Sequence, residues 1–183
     1  MPRSTCTLTT AALFTTIVAA PMAAQAPAQA PAKQPDVMVA TMQMGAKHIR
    51  AMFSIAADSM SEADYAFKPT PEVRSFGQLL AHVAEANYLF CSSAIGEPNP
   101  VTDVEKTKTS RADVRQVLTG SFDYCDRAFA AMSDEKNTRV MRPFRQTQLP
   151  ALALLNFRNY HTLLHWGNAI TYMRLRGKVP PTA

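Results

Sequence analysis

The sequence predicts an all-α four-helix bundle whose second and third helices run parallel across a long crossover. Three observations carry this. From Asp36 onward the apolar residues recur at helical spacing, and no alternating run long enough for a strand appears. Prolines and glycines cut that stretch into four segments of helical length. The connection between the second and third segments is longer than an antiparallel hairpin needs.

The first helix spans Asp36 to about Met60, with Asp36 as N-cap and Met38, Met42, Gly45, Ile49, Met52, Phe53 and Ala56 toward one side. Lys68-Pro-Thr-Pro71 breaks the chain, because each proline disfavours helix at the residue before it. The second helix follows Ser75, another N-cap, and runs to about Ile95, where Gly96 and Pro98 stop it. Its buried stripe is Phe76, Leu79, Leu80, Val83, Ala86 and Phe90. A polar loop occupies 96–109. Ser110 with Asp113 three residues on resembles a capping box with Asp in place of Glu. It opens the third helix, which carries Val114, Val117, Leu118, Phe122, Cys125, Phe129 and Met132. Ser133 to Leu149 is a second long connection, broken at Met141-Arg-Pro-Phe144. The last helix, Pro150 to about Arg176, stops at Gly177 with Pro180-Pro181 behind it. Within it Leu154, Phe157, His161, Leu164, Asn168 and Leu175 follow an a/d spacing, which predicts His161 on the inward seam and His165 beside it.

A crossover of about 14 residues, at about 3.3 Å per extended residue, can return along the whole bundle. Cys91 lies 16 positions past Ser75 and Cys125 lies 15 past Ser110. In parallel helices that puts them within about one 1.5 Å rise of equal height. Equal height permits a disulfide without requiring one, since the Cβ vectors must also face each other. Two small buried residues is the competing reading.

Ahead of the bundle, residues 1–26 have the pattern of a secretory signal peptide. Met1-Pro-Arg3 is a short basic start, Leu8 to Ala20 is uncharged and mostly apolar, and Met22-Ala-Ala-Gln-Ala26 offers small residues for cleavage. An apolar core of about a dozen residues falls short of the roughly 20 that span a bilayer, so no stable membrane span is expected. Residues 27–35 read as a flexible tether. The competing reading is an Ala/Pro-rich unstructured tail. Export, to the periplasm, would remove Cys6 and leave an even pair in an oxidising compartment, which invites a disulfide. With 47% hydrophobic and 18% charged residues, the chain is globular. The net charge of +5 is modest and its Lys and Arg are scattered, so no nucleic-acid partner is expected. The oligomeric state stays open, a homodimer included.

Three of the four histidines fall where they could act together. His161 and His165, spaced i, i+4 within Asn159-Tyr-His-Thr-Leu-Leu-His-Trp-Gly-Asn168, stack two imidazoles on one helix face. Such a pair can bind one divalent ion, and His82 on the second helix would add a third ligand and leave positions open to water or substrate. The competing readings are a surface or core-polar pair, and for His82 a satisfied core histidine beside Leu79, Ala86 and Leu89. His48, on the first helix, has no such support. Thr162, Leu163 and Leu164 between the paired histidines rule out the zincin H-E-x-x-H motif. Glu85, one turn after His82, is a weak candidate for a base, and Tyr88 and Asn168 are candidates to orient ligands or substrate.

With these pieces placed, the chain resembles the DinB/YfiT-like superfamily of metal-binding four-helix bundles, over roughly Asp36 to Pro181. Three stretches carry the resemblance. They are the proline-containing approach to a histidine-bearing second helix, Phe67-Lys-Pro-Thr-Pro-Glu-Val-Arg-Ser-Phe-Gly-Gln-Leu-Leu-Ala-His82; the H-x-x-x-H of His161 to His165, continued by Trp-Gly-Asn168; and the exit Tyr172-Met-Arg-Leu-Arg-Gly-Lys-Val-Pro-Pro181. The resemblance implies an up-down-down-up bundle and a three-histidine site for nickel, zinc or another divalent ion on His82, His161 and His165. Characterised members include thiol-dependent S-transferases and a thiol-dependent isomerase. The expected function is therefore an exported metal-binding protein, acting either as a metal-dependent transferase or hydrolase that activates a thiol or water on a small-molecule substrate, or as a non-catalytic metal-binding or stress protein. An exported form departs from the cytoplasmic thiol users. A bundle whose histidines are remnants is the third reading.

Overall fold

The computed structural model describes residues 36–181. The expected signal peptide at 1–26, with Cys6, and the tether at 27–35 lie outside the described residues. Four long helices form the bundle: α1 (Val37–Ser59), α3 (Phe76–Ile95), α5 (Arg111–Ala130) and α7 (Ala151–Leu175). Their connections hold three one-turn helices, α2 (Glu62–Tyr65), α4 (Val104–Thr107) and α6 (Asp134–Asn137), and a hairpin of β1 (Met141–Phe144) and β2 (Thr147–Pro150).

Local chemistry sets most of the boundaries. Ser75 Oγ accepts the Gln78 amide and the Gln78 side chain accepts the Ser75 amide, closing a capping box at the start of α3. Ser110 Oγ accepts the Asp113 amide at the start of α5. Gly96 ends α3 at φ 77°, the left-handed conformation that glycine enters without a Cβ penalty. The start of α1 departs from expectation. Asp36 makes no side-chain cap to its own helix. Its carboxylate instead accepts the Asp134 amide, while the Asp134 carboxylate accepts the amides of Met38 and Val39 at 2.8 Å each. The first turn of α1 is thus capped by a residue 95 positions away.

Side-chain pairs give the helix directions. Arg50 meets Asp126 and Asp58 meets Arg115, so α1 and α5 are antiparallel. Phe53 meets Trp166 and the Met42 carbonyl accepts from Asn159, so α1 and α7 are parallel. Phe76 meets Tyr172 and Phe90 meets His161, so α3 and α7 are antiparallel. Asn87 meets Ser121 and Cys91 is bonded to Cys125, so α3 and α5 are parallel. The order is up-down-down-up. The disulfide, with its Cα atoms 5.3 Å apart, settles the choice between a bridge and two free buried residues.

Three expectations are corrected. The connection 133–149 contains a strand pair, Met141↔Pro150 to Phe144↔Thr147, turning through Arg145 at φ 53° and Gln146. Four-residue strands are too short to show alternation, Pro143 argues against a strand, and the turn lacks Asn-Gly or Asp-Gly. The hairpin is seated by Phe144, which stacks on Phe90 at 5.1 Å. On α1 the buried line begins one position late: Met38 is 52% exposed while Val39 and Ala46 are buried. On α7 the inward seam runs through Ala151, Leu155, Arg158, Thr162, Trp166, Ala169 and Met173. Phe157 and Leu164, assigned to the seam, are 49% and 56% exposed. His161 lies at the margin of the true seam, as does His165.

The buried Arg158 and Thr162 belong to a polar layer with Asn87 as its hub. Asn87 Oδ1 accepts from Arg158 Nε at 2.8 Å and from Thr162 Oγ1 at 3.1 Å, and its Nδ2 donates to Ser121 Oγ at 3.0 Å. Buried polar groups are tolerated when paired in this way. The layer separates two apolar clusters. One contains Phe53, Leu80, Phe122 and Trp166, the other Ala46, Phe90, Phe129 and Leu155.

At one end of the bundle, Arg176 Nε donates to Asp64 Oδ1 at 2.6 Å. That bond, with those from Ser61, holds the Asp64 pKa down at about 2. A depressed carboxyl pKa contributes stability that is complete above the unfolded value of about 4 and disappears as pH falls through the folded one. Between pH 5 and 2, Asp64→Asn should therefore lose less melting temperature than wild type, because its side chain has no proton to gain. Equal slopes in thermal melts would refute the assignment.

Candidate metal centre

His82 lies in the second turn of α3, and His161 and His165 lie one turn apart on the antiparallel α7. One ring nitrogen from each falls within 4.8 Å of the others. The ring centroids are 4.6 Å (His161–His165), 4.9 Å (His82–His165) and 5.3 Å (His82–His161) apart. His165 Nε2 stands 3.3 Å from His161 Nε2. Two nitrogens held tetrahedrally by one zinc at 2.0–2.1 Å lie about 3.3 Å apart, so this pair already has that spacing.

The rings are half-buried, and burial keeps them neutral. Desolvation, followed by the neighbouring imidazoles, pushes His161 and His165 down to about 4. His82 is lowered by burial and then by Arg74, against the opposing pull of Glu105. Neutral imidazoles at neutral pH present lone pairs, the form a metal takes. Three imidazoles suit zinc, nickel or a similar ion, not the all-oxygen preference of calcium or magnesium. His161 Nδ1 is a buried polar atom without a hydrogen-bond partner among the described residues. The three imidazoles, with the His161 and His165 Nε2 atoms at the spacing of two zinc ligands, are the donor set a divalent ion takes, so the residues fit one.

The surroundings orient all three rings. Glu105 Oε2 lies 3.3 Å from His82 Nδ1, and Arg74 Nη2 lies 3.5 Å from the same atom. The Asn168 side-chain amide is 3.4 Å from His165 Nδ1. Packing against Phe90, with centroids 5.7 Å apart, orients His161. Of the residues singled out from sequence, Asn168 joins the histidines. The Glu85 carboxylate accepts the Glu105 amide at 3.1 Å. Tyr88 is turned elsewhere: six residues past His82 it points about 240° round the helix and packs on Tyr124 of α5. Gly120 is the residue opposite it, where a Cβ would stand 2.7 Å from the Tyr88 hydroxyl. His48 is exposed on α1, outside the cluster.

Sequence reasoning missed Glu105 and Arg74. Glu105 sits in the crossover, where nothing local distinguishes it from other loop acids. Arg74 carried one signal, its place just before the cap of the histidine-bearing helix. A cleft of about 760 Å³ opens beside His165, bounded by Lys68, Pro71, Arg74, Leu79, Asn168 and Tyr172. Its volume is in the range of small-molecule sites. Tyr172 donates its hydroxyl to the Arg74 carbonyl at 2.6 Å, fixing the 68–74 loop against α7.

A family model described as the DinB superfamily matches residues 46–169, a span that includes all three histidines. Two solved structures are similar in fold. A DinB-like protein from Bacillus cereus is 15% identical, with a TM-score of 0.67 over 81% of this chain and 97% of that one. A DinB-like protein from Bacillus subtilis is 20% identical, with a TM-score of 0.62 over 80% and 96%. No curated protein matches the chain.

Proposed function

The chain belongs to the DinB superfamily, and from that premise we propose that it binds one divalent metal ion, zinc or nickel, through His82, His161 and His165, and acts on a small molecule in the adjoining cleft. The observation that carries this is the convergence of three neutral imidazoles from two antiparallel helices, one pair already 3.3 Å apart. Such an ion, when bound, lowers the pKa of a water or thiol at its open positions, which suits a hydrolase or a transferase. The remaining work falls to the chain. The polar layer fixes α3 against α7, Asn168 braces His165, and the 68–74 loop shapes the cleft. The cleft beside His165 favours turnover over a purely metal-holding role.

The test is titration of metal-free protein with zinc and with nickel. Binding near 1:1 is expected, falling at least 100-fold in His161→Ala. Equal affinity in the triple alanine variant would reject the site. Export is part of the same proposal. A buried disulfide suits an oxidising compartment. N-terminal sequencing of the mature protein should begin between Gln25 and Pro31; an intact Met1 on cytoplasmic material would count against it.

A further inference from the structure

We infer that Glu105, delivered by the crossover, is a positioning residue for His82, accepting the Nδ1 proton so that Nε2 is left bare toward His161 and His165. Two charged groups converge on His82 Nδ1 and demand opposite tautomers. Glu105 Oε2, at 3.3 Å, is an acceptor and needs a proton on Nδ1. Arg74 Nη2, at 3.5 Å, is only a donor and needs a lone pair there, which would put the proton on Nε2 and close that nitrogen to an ion. The carboxylate is nearer. Arg74 is also engaged with it, donating from Nε to Glu105 Oε1 at 2.8 Å. The guanidinium thus steadies the carboxylate, and the carboxylate decides the ring.

The crossover is built to hold Glu105 still. The preceding residue, Val104, is buried in the apolar cluster that includes Leu79 and Val83. The Glu105 amide is taken by Glu85, which lies one turn past His82 on the same helix. Helix α3 therefore grips the backbone of Glu105 with one acid and receives its side chain on the histidine one turn earlier. This accounts for an ordered single turn at Val104–Thr107 inside an otherwise polar loop. A carboxylate behind a ligating imidazole fixes its tautomer and orientation, and losing such a partner typically costs 10–100-fold in metal affinity.

The inference rests on the metal-binding reading, and its test separates the two. Nitrogen-15 correlation spectra of the metal-free protein report the His82 tautomer without any metal. Wild type should carry the proton on Nδ1, and Glu105→Ala should move population to Nε2. Glu105→Gln, which keeps an acceptor oxygen, should restore the wild-type state in part. Zinc affinity should fall 10–100-fold in Glu105→Ala and no more than a few-fold in Arg74→Ala. A wild-type His82 protonated on Nε2, or an unchanged tautomer and affinity in Glu105→Ala, would overturn the role of Glu105 while leaving the three-histidine site standing. Undiminished binding in His161→Ala would overturn the site and the inference with it. If Glu105→Ala does not fold, the wild-type tautomer and the Glu105→Gln affinity decide.

Discussion

Asn87→Leu should destabilise the bundle by about 2–4 kcal/mol, and Arg158→Met should cost clearly less. The asymmetry comes from what each change strands. Asn87 is fully buried, and its single carbonyl oxygen serves both Arg158 and Thr162. Without it, a guanidinium that is 1% exposed keeps Asn159 and the face of Phe122, 5.0 Å away, but loses its bond within the layer. Burial already works against that charge, holding the Arg158 pKa down to about 10. Asn87 is neutral, so its loss leaves a guanidinium N–H unsatisfied in the interior, whereas replacing the charge by an apolar side chain of similar length removes the difficulty. In Arg158→Met the Asn87 oxygen still accepts from Thr162 and its amide still donates to Ser121. Denaturant unfolding of both variants and of the double variant decides the matter. The double variant should recover a large part of the Asn87→Leu loss, a coupling expected of residues in direct contact. A costlier Arg158→Met, or additive losses, would refute the hub.

The same layer explains where sequence reasoning succeeds and where it fails. Helix boundaries were legible because their causes are local: Ser75 with Gln78, Ser110 with Asp113, and the left-handed Gly96 and Gly177 all act within a few residues. The stripe of α3 was legible because most of its inward residues are apolar, Asn87 and Ser92 excepted. The parallel pair was legible from the matched depths of Cys91 and Cys125 below their serine caps. The face of α7 was not, since the chain places Arg158 and Thr162 inward and Phe157, Tyr160 and Leu164 outward, inverting the apolar signal. Only a partner 71 residues earlier, Asn87, makes an inward arginine tolerable, and no local pattern encodes it. The cap of α1 by Asp134 and the approach of Glu105 to His82 are likewise long-range. For the site, the i, i+4 pair was visible on one helix. The third histidine was visible as a candidate on the second helix, where the family resemblance favoured a ligand over a satisfied core residue, and the acid behind it depends on a loop path that only the folded chain defines.

Removing the disulfide, as Cys91→Ala/Cys125→Ala, should cost about 3–4 kcal/mol, because closing a loop across 34 positions removes that much chain entropy from the unfolded state. The bond matters here because α3 and α5 lie parallel and are joined by the crossover, so no tight turn fixes their relative height. Both sulfurs are buried, which should make the native protein slow to reduce: reductant alone at neutral pH should leave the bridge largely intact until the bundle opens. The proposed metal site should survive. The bridge lies nine residues past His82, about 13 Å along the helix, and it ties α3 to α5, not to the α7 that carries the other two histidines. The double variant should therefore unfold at clearly lower denaturant and still bind zinc within a few-fold of wild type. Non-reducing mass spectrometry showing two free thiols in the folded protein, or a stability loss below about 1 kcal/mol, would contradict the first half. A loss of zinc affinity as large as that of His161→Ala would contradict the second, and would mean that the height of α3 at the histidines is set from α5 and not by the Asn87 layer and Glu105.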